Sequence, residues 1–332
     1  MKLRAKTATL VAGTFVALIA ALYLVLSSTF IRSFDELEHS QATEATGRLQ
    51  KAVQENRNAM LVQLTDWATW DDAYGYVTGK KPDFDEANLT QAILETSSLA
   101  FMIFTDVKGK IIRIHHPEGK PVPDSFVRQI VPGSRFLQHE GVPPPPWPDG
   151  RPRIGGIIDL GPEGAYLVGA VSITDGEASV PPMGTLVFGR KIDADLLERF
   201  SQVMLSEVTC DFLSSPTLGK NFRTAADALH DEAATHIELI NEQHMAGYCR
   251  FDDLDGKPTA IFRLAMPRDV YQKGQATRRI FLISLAIAGA VSLLVTLALL
   301  DINVINRLRR LSQQALASAG RRTSPAASPP AA

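Results

Sequence analysis

Two long uncharged apolar runs bracket a polar middle, and they restrict what this chain can fold into more than any other feature. The first runs from Thr7 to Phe30 and the second from Ile280 to Leu300. As a helix, each is long enough to cross the roughly 30 Å of hydrocarbon in a bilayer. Nearly everything between them must then lie on one side of a membrane. Lys2, Arg4 and Lys6 precede the first run, and Arg307, Arg309 and Arg310 follow the second. Positive flanks favour the cytoplasmic side, which puts both ends there and Ile31–Thr277 outside. Arg278 and Arg279 sit against this trend on the outer flank of the second run, where their long stems let the charged heads snorkel to lipid headgroups. A cleaved signal peptide is the rival reading of the N-terminus. The first run is too long for one and ends in the bulky Ser28-Thr29-Phe30-Ile31.

The expected organisation is a cytoplasmic N-terminus over 1–6, a transmembrane helix over 7–30 and an external domain over 31–277, with a subdomain boundary near 193–206. A second transmembrane helix follows over 280–300, then a cytoplasmic helix over 301–320 and a disordered tail over 321–332. The helix is drawn from Val304, Leu308, Leu311 and Ala315, spaced as a coiled-coil seam that fades at Ser318. Beyond Leu300 too little remains for a catalytic domain. A formal charge of −2 offers nothing to nucleic acid. Cys210 and Cys249 both fall outside, each in a strand-like run. An oxidising compartment permits a disulfide between them, and two buried thiols fit equally well.

Within the external segment, Ser33 to about Tyr74 reads as one long helix without proline. Leu49, Val53, Met60, Trp67, Trp70 and Tyr74 fall on one seven-residue repeat, interrupted by Asn56 and Gln63. That seam serves either a dimer stalk or contact with the helix's own domain. A short helix over Glu86–Glu95 precedes a hairpin, Ser98–Asp106 and Lys110–His115, turned at Lys108-Gly109. Asp124 and Asp193 are placed to cap helices. The prolines at 143–146, with Trp147 and Pro148, form a loop. Strands are expected at Ile154–Leu160, Ala165–Thr174, Met183–Arg190 and Val208–Phe212, a helix over Ala225–Ala234, and a final meander of Ile237–Ile240, His244–Asp252 and Pro258–Met266. Pro267 is expected to open the helix that enters the second span. The class is α+β with antiparallel sheet.

The densest chemistry is Asp66-Trp67-Ala68-Thr69-Trp70-Asp71-Asp72-Ala73-Tyr74-Gly75-Tyr76. On one continuous helix, Trp67, Trp70, Asp71 and Tyr74 share a face. Large rings there call for burial, and a carboxylate among them needs donors. Metal sites are weaker. His115 and His116 are adjacent in a strand and so oppose each other, and His230, His236 and His244 lack ligand spacing. Asp252, Asp253 and Asp255 beside Gly256 resemble a calcium-loop fragment without its closing glutamate, so a hairpin turn is the default.

The Trp-x-x-Trp-Asp-Asp-x-Tyr pattern after a first span and a long helix resembles the signature of extracellular CHASE sensory domains of the fourth class. Trp67, Trp70, Asp71, Asp72 and Tyr74 match it in place. Two more segments resemble the family: Phe101–Gly109, and Val171–Gly176 followed by Gly184–Arg190. The resemblance spans about Leu61 to Phe200. It implies a bacterial or archaeal receptor ectodomain related to PAS and Cache sensors, placed in the inner membrane with its main domain periplasmic. Family members usually carry a cyclase, phosphodiesterase or histidine kinase. This sequence has no Gly-Gly-Asp-Glu-Phe segment, no Glu-Ala-Leu domain and no phosphoacceptor region, so no enzyme, cofactor or metal is expected. The expected partners are the lipid bilayer, a small-molecule or protein ligand, a second copy in a homodimer, and an output protein in trans. The motif is either a structural knot or, with Arg190, part of a ligand pocket. A non-signalling envelope scaffold is the alternative function.

Overall fold

The computed structural model describes residues 2–131, 133–137, 153–177, 179, 181–229, 235–300 and 302. The proline loop around Trp147, His230 and the segment beyond Ile302 lie outside the described residues. Two compact units are present: His39–Arg268, and Met1–Glu38 together with Asp269–Ala332.

Helix α1 runs unbroken over Lys2–Ala68. It stops short of the expected Tyr74 because Trp70 adopts extended backbone, with φ −86° and ψ 128°. Helix α2, Asp71–Val77, starts immediately afterwards. The predicted shared face of Trp67, Trp70, Asp71 and Tyr74 is therefore overturned: the break rotates the last two away from the α1 register. The expected Glu86–Glu95 helix is two short ones, α3 at Phe84–Asn88 and α4 at Gln91–Thr96.

Strands β1 (Phe101–Asp106) and β2 (Ile111–His115) form the expected hairpin, with Gly109 at φ 80° in its turn. Helix α5 is a single turn, Asp124–Val127, and Pro123 rather than Asp124 holds the cap position. Strands β3 (Arg153–Asp159), β4 (Ala165–Ile173) and β5 (Gly184–Lys191) complete an antiparallel sheet in the order β2-β1-β5-β4-β3. Helix α6, Ala194–Met204, is capped as expected: Asp193 Oδ1 accepts from Leu196 N at 3.1 Å.

The second sheet comprises β6 (Val208–Phe212), β7 (Thr235–Leu239), β8 (His244–Asp252) and β9 (Pro258–Pro267), ordered β6-β9-β8-β7. Helix α7 occupies Lys220–Ala228, earlier than the predicted Ala225–Ala234. Pro267 closes β9 rather than opening a helix, and α8 spans Asp269–Leu300. The changeover between sheets falls at α6, inside the expected 193–206 boundary, although both sheets belong to one compact unit.

Leu49, Val53, Met60, Leu61 and Leu64 on α1 are buried with Phe104 and Phe188 of the first sheet and Phe262 and Leu264 of the second. Leu49, Val53 and Met60 of the seven-residue seam thus face the domain's own core. Glycines set the approach: a Cβ on Gly169 would come within 2.5 Å of Leu61, and one on Gly247 would strike Thr46 Oγ1. A further core lies where Phe101, Phe126, Phe136 and Tyr166 meet, and a third buries Tyr248, Ala225 and Leu229.

Among the described residues one helix, not the expected two, is long and apolar enough to cross a membrane, Asp269–Leu299, with mean hydropathy 2.6 over its most apolar stretch and none of that stretch buried. A second apolar stretch, Thr9–Val25, is shorter. In the same unit, Glu38 Oε1 accepts from Tyr271 N at 3.2 Å in the first turn of α8.

Candidate functional site

The aromatic motif forms a knot at the end of α1. Trp67 and Trp70 meet edge to face at 5.8 Å, and both abut Phe84. Tyr76 stacks on Phe84 at 5.1 Å and meets Phe104 edge-on. Trp70 remains 42% exposed because the helix break turns it outward. Tyr74 packs against the main core. Asp71 Oδ1 accepts from Gly176 N at 2.9 Å, and Thr174 N donates to Ala68 O at 3.0 Å. The β4–β5 connection is thereby laced to the helix break. Asp72 pairs with Lys81, and that hydrogen bond raises the lysine's pKa.

Arg190 is not joined to these aspartates. Its guanidinium donates to Asn56 Oδ1 and Ser97 O, both at 2.8 Å, and to Ser98 O at 3.1 Å. Burial first, then nearby Arg199, lowers its pKa. Of the two readings of the motif, the packing observed is the structural knot; Asp72 lies in a surface ion pair, and Arg190 forms a separate clamp between α1 and the α4–β1 link.

Of the two readings of the cysteines, the structure holds the unbridged one: both thiols are free. Cys210 and Cys249 each pair with Phe262, from opposite sides of β9. Two strand spacings of about 4.8 Å separate their backbones by roughly 10 Å, beyond the 7 Å a bridge tolerates. Burial pushes the Cys249 thiol up to about 12, and burial followed by Asp211 raises Cys210 strongly.

A site not foreseen from sequence opens where β3 meets the β8–β9 turn. Ile157 and Asp253 form a single parallel bridge there, joining the two sheets. Beside it lies a cavity of about 350 Å³, within the range of small-ligand sites. Phe136, Ile157 and Leu254 line its apolar side. Its polar lining includes Ser134, Arg135, Asp159, Asp253 and Asp255. Arg135 pairs with Asp255 and donates to Leu254 O. Asp159 accepts from Gly161 N and Ser214 Oγ. Asp253 Oδ1 accepts from Asp255 N at 2.7 Å and Lys257 N at 2.9 Å. Ser134 Oγ is buried with no hydrogen-bond partner among the described residues. The acidic turn at Asp252–Asp255 was the only trace of this site in the sequence; Ser134 and Arg135 join it solely through the fold.

Residues 52–210 match the CHASE4 domain family. The methanogenesis regulatory histidine kinase FilI of Methanothrix harundinacea is 25% identical over 259 residues, covering 75% of this chain and 27% of that protein. This chain therefore corresponds to about a quarter of that relative's length. The periplasmic domain of Vibrio cholerae LuxQ is similar at 12% identity with a TM-score of 0.41, covering 68% of this chain and 99% of that one. An extracellular ligand binding receptor from Desulfohalobium retbaense is similar at 10% identity with a TM-score of 0.36, covering 68% and 40%.

Proposed function

We propose that this chain, whose residues 52–210 form a CHASE4 domain, is the sensory part of a two-pass inner-membrane receptor. Its periplasmic domain binds a small molecule or a partner protein and passes a conformational change to the membrane helices. The observation that carries this reading is continuity. Helix α1 runs without a break from Lys2 into the core of the domain, and β9 ends only one residue before α8 begins. Both apolar segments are thus direct extensions of the sensory fold, so a change in either sheet has a covalent route to the membrane.

The kinase similarity supports a signalling role, and the basic flanks at Lys2–Lys6 and Arg307–Arg310 support cytoplasmic ends. Chemistry is assigned to an output protein in trans or to a segment beyond this sequence. A homodimer is the expected working form. A ligand shifts the equilibrium between two states only through its differential affinity for them.

Two measurements on the full chain test this. In a background with Cys210 and Cys249 replaced by alanine, Glu55→Cys should react with a membrane-impermeant maleimide in intact cells, and Ser312→Cys only after lysis. The reverse pattern sinks the topology. Deleting Asp301–Ala332 should reproduce the transcriptional response of the null strain. Full retention of wild-type behaviour would leave the non-signalling scaffold as the better reading.

A further inference from the structure

The geometry points to the cavity between β3 and the β8–β9 turn as a binding site for a small organic ammonium with a hydrocarbon stem. This rests on reading the domain as sensory, and it names the ligand class that reading leaves open.

Charge excludes anions first. Among the described residues the lining carries three carboxylates, Asp159, Asp253 and Asp255, against the single guanidinium of Arg135. That guanidinium is already engaged by Asp255 and by Leu254 O. Among the described residues the site is therefore negative overall, and the one cation in its lining is not offered to a ligand.

Two acceptors of the lining stand out. Asp253 spends Oδ1 on the amides of Asp255 and Lys257, while its Oδ2 bonds to no described residue. Ser134 Oγ is shielded from solvent and lacks a partner among the described residues. A buried polar atom left unsatisfied costs free energy, so this atom asks for a donor from outside the fold. An ammonium supplies three N–H donors and the compensating charge together. The apolar wall of Phe136, Ile157 and Leu254 then takes a short alkyl stem.

A metal ion fits less well. Among the described residues no group of three or more carboxylate, imidazole or thiol ligands converges on one point. A neutral polyol satisfies hydrogen bonds but leaves the charge unanswered.

Position gives such a ligand a route to the membrane. Ser134 and Asp159 belong with the first sheet, whereas Asp253 lies in the turn that starts β9. A ligand held by both sides strengthens the single Ile157–Asp253 bridge between the sheets. The far end of that same strand leads into α8.

The test uses the full chain in lipid nanodiscs, with n-butylammonium and putrescine as probes and n-butanol, butyrate and calcium as controls. The amines should raise the thermal midpoint by about 2–4 °C at saturating concentration, and the controls should not. Asp253→Asn keeps the Oδ1 acceptor that shapes the turn and removes only the charge; it should weaken amine binding about tenfold or more. Ser134→Ala should leave the free protein as stable or more so, yet weaken amine binding several-fold. Asp72→Asn, far from the cavity in sequence and already paired with Lys81, should change neither. Equal stabilisation by butanol or butyrate overturns the ligand class. Stabilisation by calcium in place of amines, amine binding indifferent to both cavity variants, or no amine effect up to about 10 mM does the same. If topology and the tail-deletion phenotype hold while the amines fail, the ligand class falls and the sensory reading stands.

Discussion

Gly247 and Gly47 show how differently one residue type is used in this chain. A methyl group on Gly247 would collide with Thr46 Oγ1, where α1 lies against the second sheet. Gly247→Ala should therefore destabilise the domain by about 1–3 kcal/mol, the usual range for overpacking. Adding Thr46→Ala should recover much of that loss, measured as denaturant midpoints of the full chain in detergent. A Cβ on Gly47 meets nothing within 4 Å. Within a helix, glycine is about 0.5–1 kcal/mol worse than alanine, so Gly47→Ala should stabilise the isolated chain by that amount. Destabilisation instead, lost on dilution to monomer, would place a second copy's helix against α1 at this point.

At the scale of elements, Arg190 clamps α1 to the link before β1 through Asn56, Ser97 and Ser98. Arg190→Met keeps most of the volume and removes all three bonds. About 2–3 kcal/mol of stability should go with it, read from the same denaturant curves, while amine binding at the distant cavity is preserved. Such elements were unevenly legible. Hairpins came through because their turn chemistry is local: Lys108-Gly109 and Asp255-Gly256 both hold glycine at positive φ. Asp193 was readable as a cap for the same reason. The seam of Leu49, Val53 and Met60 was visible, but its partner was not, since helical periodicity says that a face is buried and not against what. The break at Trp70 carried no glycine or proline to announce it. Cys210 and Cys249 looked like neighbours because strand order is nonlocal; β9, which arrives later in the chain, inserts between them. The cavity draws on residues more than a hundred positions apart, and no local pattern encodes that.

For the whole molecule, two groups buried on opposite faces of the second sheet set a limit at alkaline pH. Tyr248 is fully buried. Burial, then Glu238, which accepts its hydroxyl at 3.1 Å, raises its pKa from 10.0 to about 12. Cys249, also fully buried, is raised by burial from 9.0 to about 12. Both groups are neutral when protonated, and the fold favours that form. Unfolded chains release these protons near pH 9 and 10, while the folded chain holds them to about 12. Between those limits the folded state binds more protons, so stability falls as pH rises. The contribution is fully present below pH 9 and is lost progressively toward pH 12. Each group lowers stability by up to about 1.4 kcal/mol per pH unit within its window, and the two together by an amount on the order of 3–4 kcal/mol at pH 11. Denaturant midpoints from pH 8 to 11 should decline accordingly, and Tyr248→Phe should flatten the slope above pH 10. The same burial should keep Cys249 unreactive toward iodoacetamide at pH 8 until denaturant unfolds the domain. Rapid alkylation of the native chain, or a midpoint that does not move between pH 8 and 11, would show that the second sheet opens to solvent far more readily than its packing implies.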